Sequence, residues 1–138
     1  MELDLLLFSD RVEAAEGQKL DILGALWDTI RASSAPLVHS EMSVVIRVLA
    51  RRKETVDPHE LELAILDASG NEITQRSGDI VPLPEAALAD EPAKHLWRYI
   101  WVVQLRDLEF PDFGAYEFSV RVDGIELGRS QLYVKTPE

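Results

Sequence analysis

Tyr116-Glu117-Phe118-Ser119-Val120-Arg121-Val122-Asp123-Gly124-Ile125-Glu126-Leu127 is the stretch that decides the fold. Aromatic and β-branched residues fill every second position from Tyr116 to Val122, the period of a strand with one face buried. Asp123-Gly124 follows, the residue pair that most readily adopts the positive φ angles of a type I′ turn, so a hairpin closes here. Ile125 and Leu127 begin the returning strand in phase with the core. After Gly128 the apolar positions shift to Leu132 and Val134, one register off. One extra residue in a strand has that effect, so a β-bulge is expected near Gly128, turning Tyr133 to the opposite face.

The same alternation recurs upstream. Met42, Val44, Ile46 and Val48 make one apolar face, and Leu61, Leu63 and Ile65 another beyond the turn Glu54-Thr55-Val56-Asp57-Pro58. Read as a second hairpin, this pairs Val48 with Leu63 and Ile46 with Ile65 and sets Arg51 opposite Glu60, a favourable cross-strand charge pair. Asp67 to Asn71 reads as a turn into a short strand around Glu72 to Gln75. Leu3 to Phe8 reads as the first strand. Leu20, Ile22, Leu26 and Ile30 are separated by even numbers of residues, which favours strand over helix, and Gly24 marks a bulge or close backbone contact. Ser77 to Pro92 carries Pro82, Pro84 and Pro92 and cannot lie inside a sheet. Glu85 to Ala89, directly after Pro84, suits one or two helical turns. The sum is about eight strands in an all-β, two-sheet antiparallel sandwich, one domain over residues 1–138.

Bulk composition bounds the chemistry. The 138 residues contain no cysteine, which removes disulfides, thiol catalysis and cysteine-based metal sites. With 46% hydrophobic and 28% charged residues the chain has the makeup of a folded protein. The start, Met1 to Asp10, has four consecutive apolar residues where a membrane span needs roughly 20 and lacks the basic lead of a signal peptide. A cytoplasmic protein with no membrane partner is expected. A net charge of −11 repels nucleic acid at long range, so no nucleic-acid partner is expected either.

No segment carries a catalytic signature. His39, His59 and His95 stand apart, without the His-x-x-x-His or Glu-x-x-His spacing of a metal site. There is no Gly-x-Ser-x-Gly elbow and no phosphate-binding glycine loop. Asp10, Asp57, Asp67, Asp79, Asp107, Asp112 and Asp123 fall in loops or at strand ends, but not at calcium-loop spacing. No enzyme activity, metal or cofactor is expected.

The most informative segment is Leu96-Trp97-Arg98-Tyr99-Ile100-Trp101-Val102-Val103-Gln104-Leu105-Arg106. Trp97, Tyr99, Trp101, Val103 and Leu105 share one face, while Leu96, Ile100 and Val102 occupy the other. A sandwich sheet normally buries one face, so a second apolar face implies a partner or a covering segment. Val45 and Leu49 add to it. Two covers are open: the Ser77–Pro92 loop, or a second copy of the chain. Val45, Leu49, Leu96, Ile100 and Val102 are therefore the candidate interface, and Asp79, Glu85, Asp90 and Glu91 form a candidate acidic loop.

Taken whole, the chain resembles a family of small uncharacterised bacterial β-sandwich proteins. The resemblance rests on Leu5-Leu6-Leu7-Phe8-Ser9-Asp10, Gly17 through Asp28, Leu63 through Glu72, and Phe113 through Gly124. The ending Gly114-Ala115-Tyr116-Glu117-Phe118 is also similar to the last hairpin of immunoglobulin-like bacterial domains, which implies that Tyr116 sits as a sandwich-corner tyrosine. Such a likeness implies fold and transfers no functional residue. The expected role is a noncatalytic interaction module, most simply a homodimer. The alternatives are an acidic inhibitor or nucleic-acid mimic for a basic partner protein, or a hydrolase assembled only in three dimensions.

Overall fold

A computed structural model describes residues 1–137. Nine strands form two sheets: β1 Glu2–Ala14, β2 Leu20–Ala25, β3 Thr29–Arg31, β4 Leu37–Arg51, β5 His59–Leu66, β6 Glu72–Ile80, β7 Leu96–Phe110, β8 Gly114–Val122 and β9 Ile125–Lys135. A short helix, α1, spans Glu85–Asp90, where the Pro84 start places it. The four-stranded sheet runs β2-β1-β4-β7 and the five-stranded sheet β3-β9-β8-β5-β6. All pairings are antiparallel except β3 with β9, which is parallel.

One core lies between the sheets. Phe8, Met42, Val44, Ile46, Val48, Val103 and Leu105 face inward from the four-stranded sheet onto Leu61, Leu63, Ile65, Phe118, Val120, Leu132 and Val134 of the other. Phe8 meets Phe118 edge-on at 4.8 Å between ring centroids, and Phe110 meets Tyr116 at 4.9 Å. Burial of these alternating faces is the main force holding the layers together.

The expected hairpin of β4 with β5 does not form. β4 pairs with β1 and β7, and β5 pairs with β6 and β8, so residues 52–58 cross from one sheet to the other. Arg51 stands opposite Leu96, and Glu60 opposite Asp79. The reason is physical: alternation shows that each strand has a buried face, and two such faces satisfy each other equally well across a core. Here they meet face to face.

The Leu20–Ile30 stretch divides for a different reason. Leu26 takes a φ of 70°, a left-handed backbone that strands exclude. It separates β2, in one sheet, from β3, in the other, and raises the strand count to nine. The close contact expected at Gly24 is real, since a Cβ there would run into the Asp10 carboxylate. β6 continues to Ile80, so the irregular stretch starts at Val81 rather than Ser77.

The closing hairpin matches its reading. Asp123 and Gly124 both have positive φ, 51° and 81°. Val120 pairs Gly128 while Arg121 pairs Glu126, which leaves Leu127 as the extra residue of a bulge beside Gly128. Ile125 departs from expectation: it is 69% exposed, because the turn lifts it off the core. Tyr116 makes the corner bond, its hydroxyl donating to the Asp112 carbonyl at 2.6 Å and accepting from the Asp112 amide at 3.1 Å. Tyr116→Phe should leave that amide and carbonyl without the hydroxyl and cost about 1–2 kcal/mol, read as a lower urea midpoint at unchanged slope. An unchanged midpoint would show that the corner bond does not stabilise the fold.

Candidate functional site

The outer faces of the two sheets differ in kind. On the five-stranded sheet, Arg121 pairs with Glu62 at 3.5 Å, and Arg129 pairs with both Glu117 and Glu126. Ser119 Oγ also donates to Glu126, and these two neighbours hold the Glu126 carboxyl below its ordinary pKa. That face is laced with charge and suited to water.

The four-stranded sheet is apolar outside as well as inside. Cross-strand register lines up Leu7, Val45 and Val102 in one row and Leu5, Arg47 and Ile100 in the next. Glu2, Leu49 and Arg98 form a third row, with Leu96 opposite Arg51 beyond it. None of the outward aliphatics belongs to the core between the sheets.

Part of this face is covered by the chain itself. β1 pairs with β4 only as far as Ser9, then continues to Ala14 with β2 as its partner. The resulting two-stranded ribbon brings Lys19, Leu20 and Ile22 to Leu5, Val45, Arg47 and Ile100, and together they line a cavity of about 390 Å³. Val45 is only 2% exposed, so it is unavailable to a partner unless the ribbon moves. Leu49 and Val102 are half-buried, whereas Leu96 and Ile100 are 42% and 52% exposed. Of the five candidate interface residues, the structure thus leaves Leu96 and Ile100 most open.

The proline-containing loop lies elsewhere. Arg52 fastens it: its guanidinium donates to the carbonyls of Glu91 at 3.0 Å, Lys94 at 3.1 Å and Leu88. The Leu83 amide donates to the Thr55 carbonyl at 2.9 Å. Arg52 and Lys94 stand 5.4 and 5.2 Å from the Trp97 ring centroid, within cation–π range. The candidate acidic loop is not one unit. Asp79 sits on β6 opposite Glu60, whereas Glu85 and Asp90 lie on α1 and Glu91 follows, paired with Lys94 at 3.5 Å.

Beyond Leu49 and Leu96 the outer face runs into a cavity of about 720 Å³, lined also by Met1, Glu2, Arg51, Arg52, Lys53, Glu54 and His95. The Met1 ammonium donates to Glu54 at 2.7 Å and keeps that carboxyl below its ordinary pKa. This basic end escaped the sequence reading, although Arg51-Arg52-Lys53 is the one run of three consecutive basic residues in the chain. Leu20 and Ile22 were legible as strand residues, but nothing local shows that they turn to the outer face.

The histidines line three different cavities. His39 shares one with Asp10, Trp27, Thr29 and Ile30, His59 a second, and His95 the basic one. Burial lowers the His39 pKa against the opposing Asp10 charge, and its Nε2 is buried without a partner. His59 Nδ1 lies 2.7 Å from Asp123 Oδ2, and Nε2 lies 2.6 Å from the Glu54 carbonyl oxygen. Both are acceptors, so only the protonated ring can donate to both at once, and the Asp123 hydrogen bond raises the His59 pKa. Although His59 and Asp123 have the outline of an acid–base dyad, both ring nitrogens are already engaged by protein oxygens, and no hydroxyl side chain lines that cavity. The pair ties the β8–β9 turn to the start of β5, where Asp123 Oδ1 also accepts the Glu60 amide at 2.9 Å. Among the described residues no group of three or more acidic or histidine side chains could hold a metal ion. No helix there is long and apolar enough to cross a membrane.

A family model, described as a family of unknown function (DUF6941), matches residues 4–135, and the chain belongs to that family. Neither the curated proteins nor the solved structures yield a match.

The His59–Asp123 pair sets a pH dependence. The Asp123 hydrogen bond raises the His59 pKa above 6.5, while the Glu60 amide and then His59 lower that of Asp123 below 3.8. The stability from His59 is complete below its ordinary pKa and is lost as pH rises through the raised value. That from Asp123 is complete above its ordinary value and is lost as pH falls through the lowered one. Urea midpoints of the native chain and His59→Ala should therefore differ most near about pH 6 and converge toward about pH 9. A gap that stays constant with pH would contradict this assignment.

Proposed function

We propose that this member of the family is a noncatalytic, immunoglobulin-like interaction module of the cytoplasm that pairs with a second copy of itself along β7. The strand order of the two sheets and the Tyr116 corner support the immunoglobulin-like assignment. The five-stranded sheet departs from the flat form by curling toward a half-barrel.

The observation that carries the proposal is the state of β7. It has 15 residues, ends the β2-β1-β4-β7 order, and no described strand pairs with its free side. An unpaired edge presents a row of amides and carbonyls ready for another strand. The usual defences gather at its far end: residues 96–110 contain no proline, three of the four charged residues are Arg106, Asp107 and Glu109, and the one positive φ is at Asp107. Leu96 and Ile100 lie beside that edge on the outer face. Antiparallel pairing of two β7 strands would join two four-stranded sheets about a two-fold axis, the isologous arrangement commonest among homodimers.

Charge supplies a discriminating feature. Each copy carries −11, which opposes association at long range. Salt screens the net repulsion, so association should strengthen as salt is added. An acidic mimic captured by a basic partner would weaken instead.

Light scattering on a sizing column should give a dimer mass at high micromolar concentration, with the dimer fraction rising between low and physiological salt. The double variant Leu96→Lys, Ile100→Lys should elute as a monomer with an unchanged far-ultraviolet circular dichroism spectrum. A native chain that stays monomeric at every salt concentration would overturn the proposal.

A further inference from the structure

The cavity under the β1–β2 ribbon combines two properties that point to a ligand. Its walls are aliphatic, from Leu5, Ile22, Val45 and Ile100 among others, and its polar groups are Lys19 and Arg47. No carboxylate lines it, in a chain with 25 acidic and 14 basic residues. At about 390 Å³ it falls within the size of small-molecule sites. Arg47 is held by Asp4, with Nε 2.5 Å from Oδ2, which fixes the guanidinium at the wall. Lys19 is exposed and has no ion pair among those of the described residues.

From this pairing of aliphatic wall and cationic rim, we infer that the cavity binds a single-chain aliphatic anion, its hydrocarbon against Leu5, Leu20, Ile22 and Ile100 and its head at Lys19. A second copy of the chain fits less well. Its β7 has two outward arginines, Arg98 and Arg106, and no acid before Asp107, so it offers Lys19 and Arg47 no counter-charge. An aliphatic amine meets the same objection. The hydrocarbon gains from leaving water in proportion to its buried area. The head keeps a solvated rim position beside an ammonium, which avoids the cost of burying an unpaired charge. Ile100 is shared with the proposed β7 pairing, but Lys19 and Ile22 belong to the ribbon and its approach, so variants there test the cavity separately from the dimer.

Calorimetric titration of the native chain with dodecanoate below its micellar concentration tests it. The expected result is saturable one-to-one binding, at least tenfold tighter than hexanoate, with none for dodecyltrimethylammonium. Lys19→Glu, an exposed change that leaves the fold intact, should weaken dodecanoate at least tenfold. Ile22→Asp should abolish it while the dimer mass persists. Absence of saturable dodecanoate binding, equal binding of the cationic amphiphile, or indifference to Lys19→Glu would each overturn the inference.

Discussion

The middle of strand β4, Met42 to Ile46, is buried on both sides, and the rest of the molecule is arranged around that demand. Its inward residues, Met42, Val44, Ile46 and Val48, require a second sheet across the core. Its outward residues Ser43 and Val45 are at most 2% exposed, although nothing in a two-layer sandwich lies on that side. Cover has to come from within the chain. β1 supplies it by leaving β4 after Ser9 and continuing as a ribbon with β2. Leu26, at positive φ, then ends β2 and sends the chain to the opposite sheet.

This arrangement spends β1 and β2 on one side of β4 and leaves β7 alone on the other. The five-stranded sheet has a polar outer face with paired charges, so its exposure costs little. The four-stranded sheet instead keeps an apolar outer face, a long open edge and a cavity at the ribbon's underside. Two of those features invite a macromolecule or a small ligand, and they lie on the same sheet. The loop of residues 81–95 does not compete for that face, because Arg52 holds it through three backbone carbonyls.

Much of the architecture was legible from residue pattern alone. The Asp123-Gly124 turn, the bulge beside Gly128, the helical turn after Pro84 and the two-faced β7 each have a local cause: a backbone angle, a register step, a fixed φ or an apolar repeat. Partner choice was not legible. Alternation from Met42 to Val48 and from Leu61 to Ile65 states that both strands have an inward face, but does not distinguish edge pairing from packing across a core. The ribbon was missed for a related reason, since Leu20 and Ile22 show burial without showing which surface buries them. The basic end needed the β4–β7 register and the Arg52 amide bond to the His95 carbonyl to bring residues 51–53 beside His95 and Leu96.

Backbone exposure at the free edge of β7 is where the account is most exposed to contradiction. Amide hydrogen exchange across Leu96–Phe110, followed as a function of protein concentration, measures it directly. Pairing along β7 predicts that alternate amides of this strand gain protection as concentration rises, while β2, β3 and β6, the other edge strands, exchange at constant rates. Rapid exchange along β7 at every concentration would contradict it.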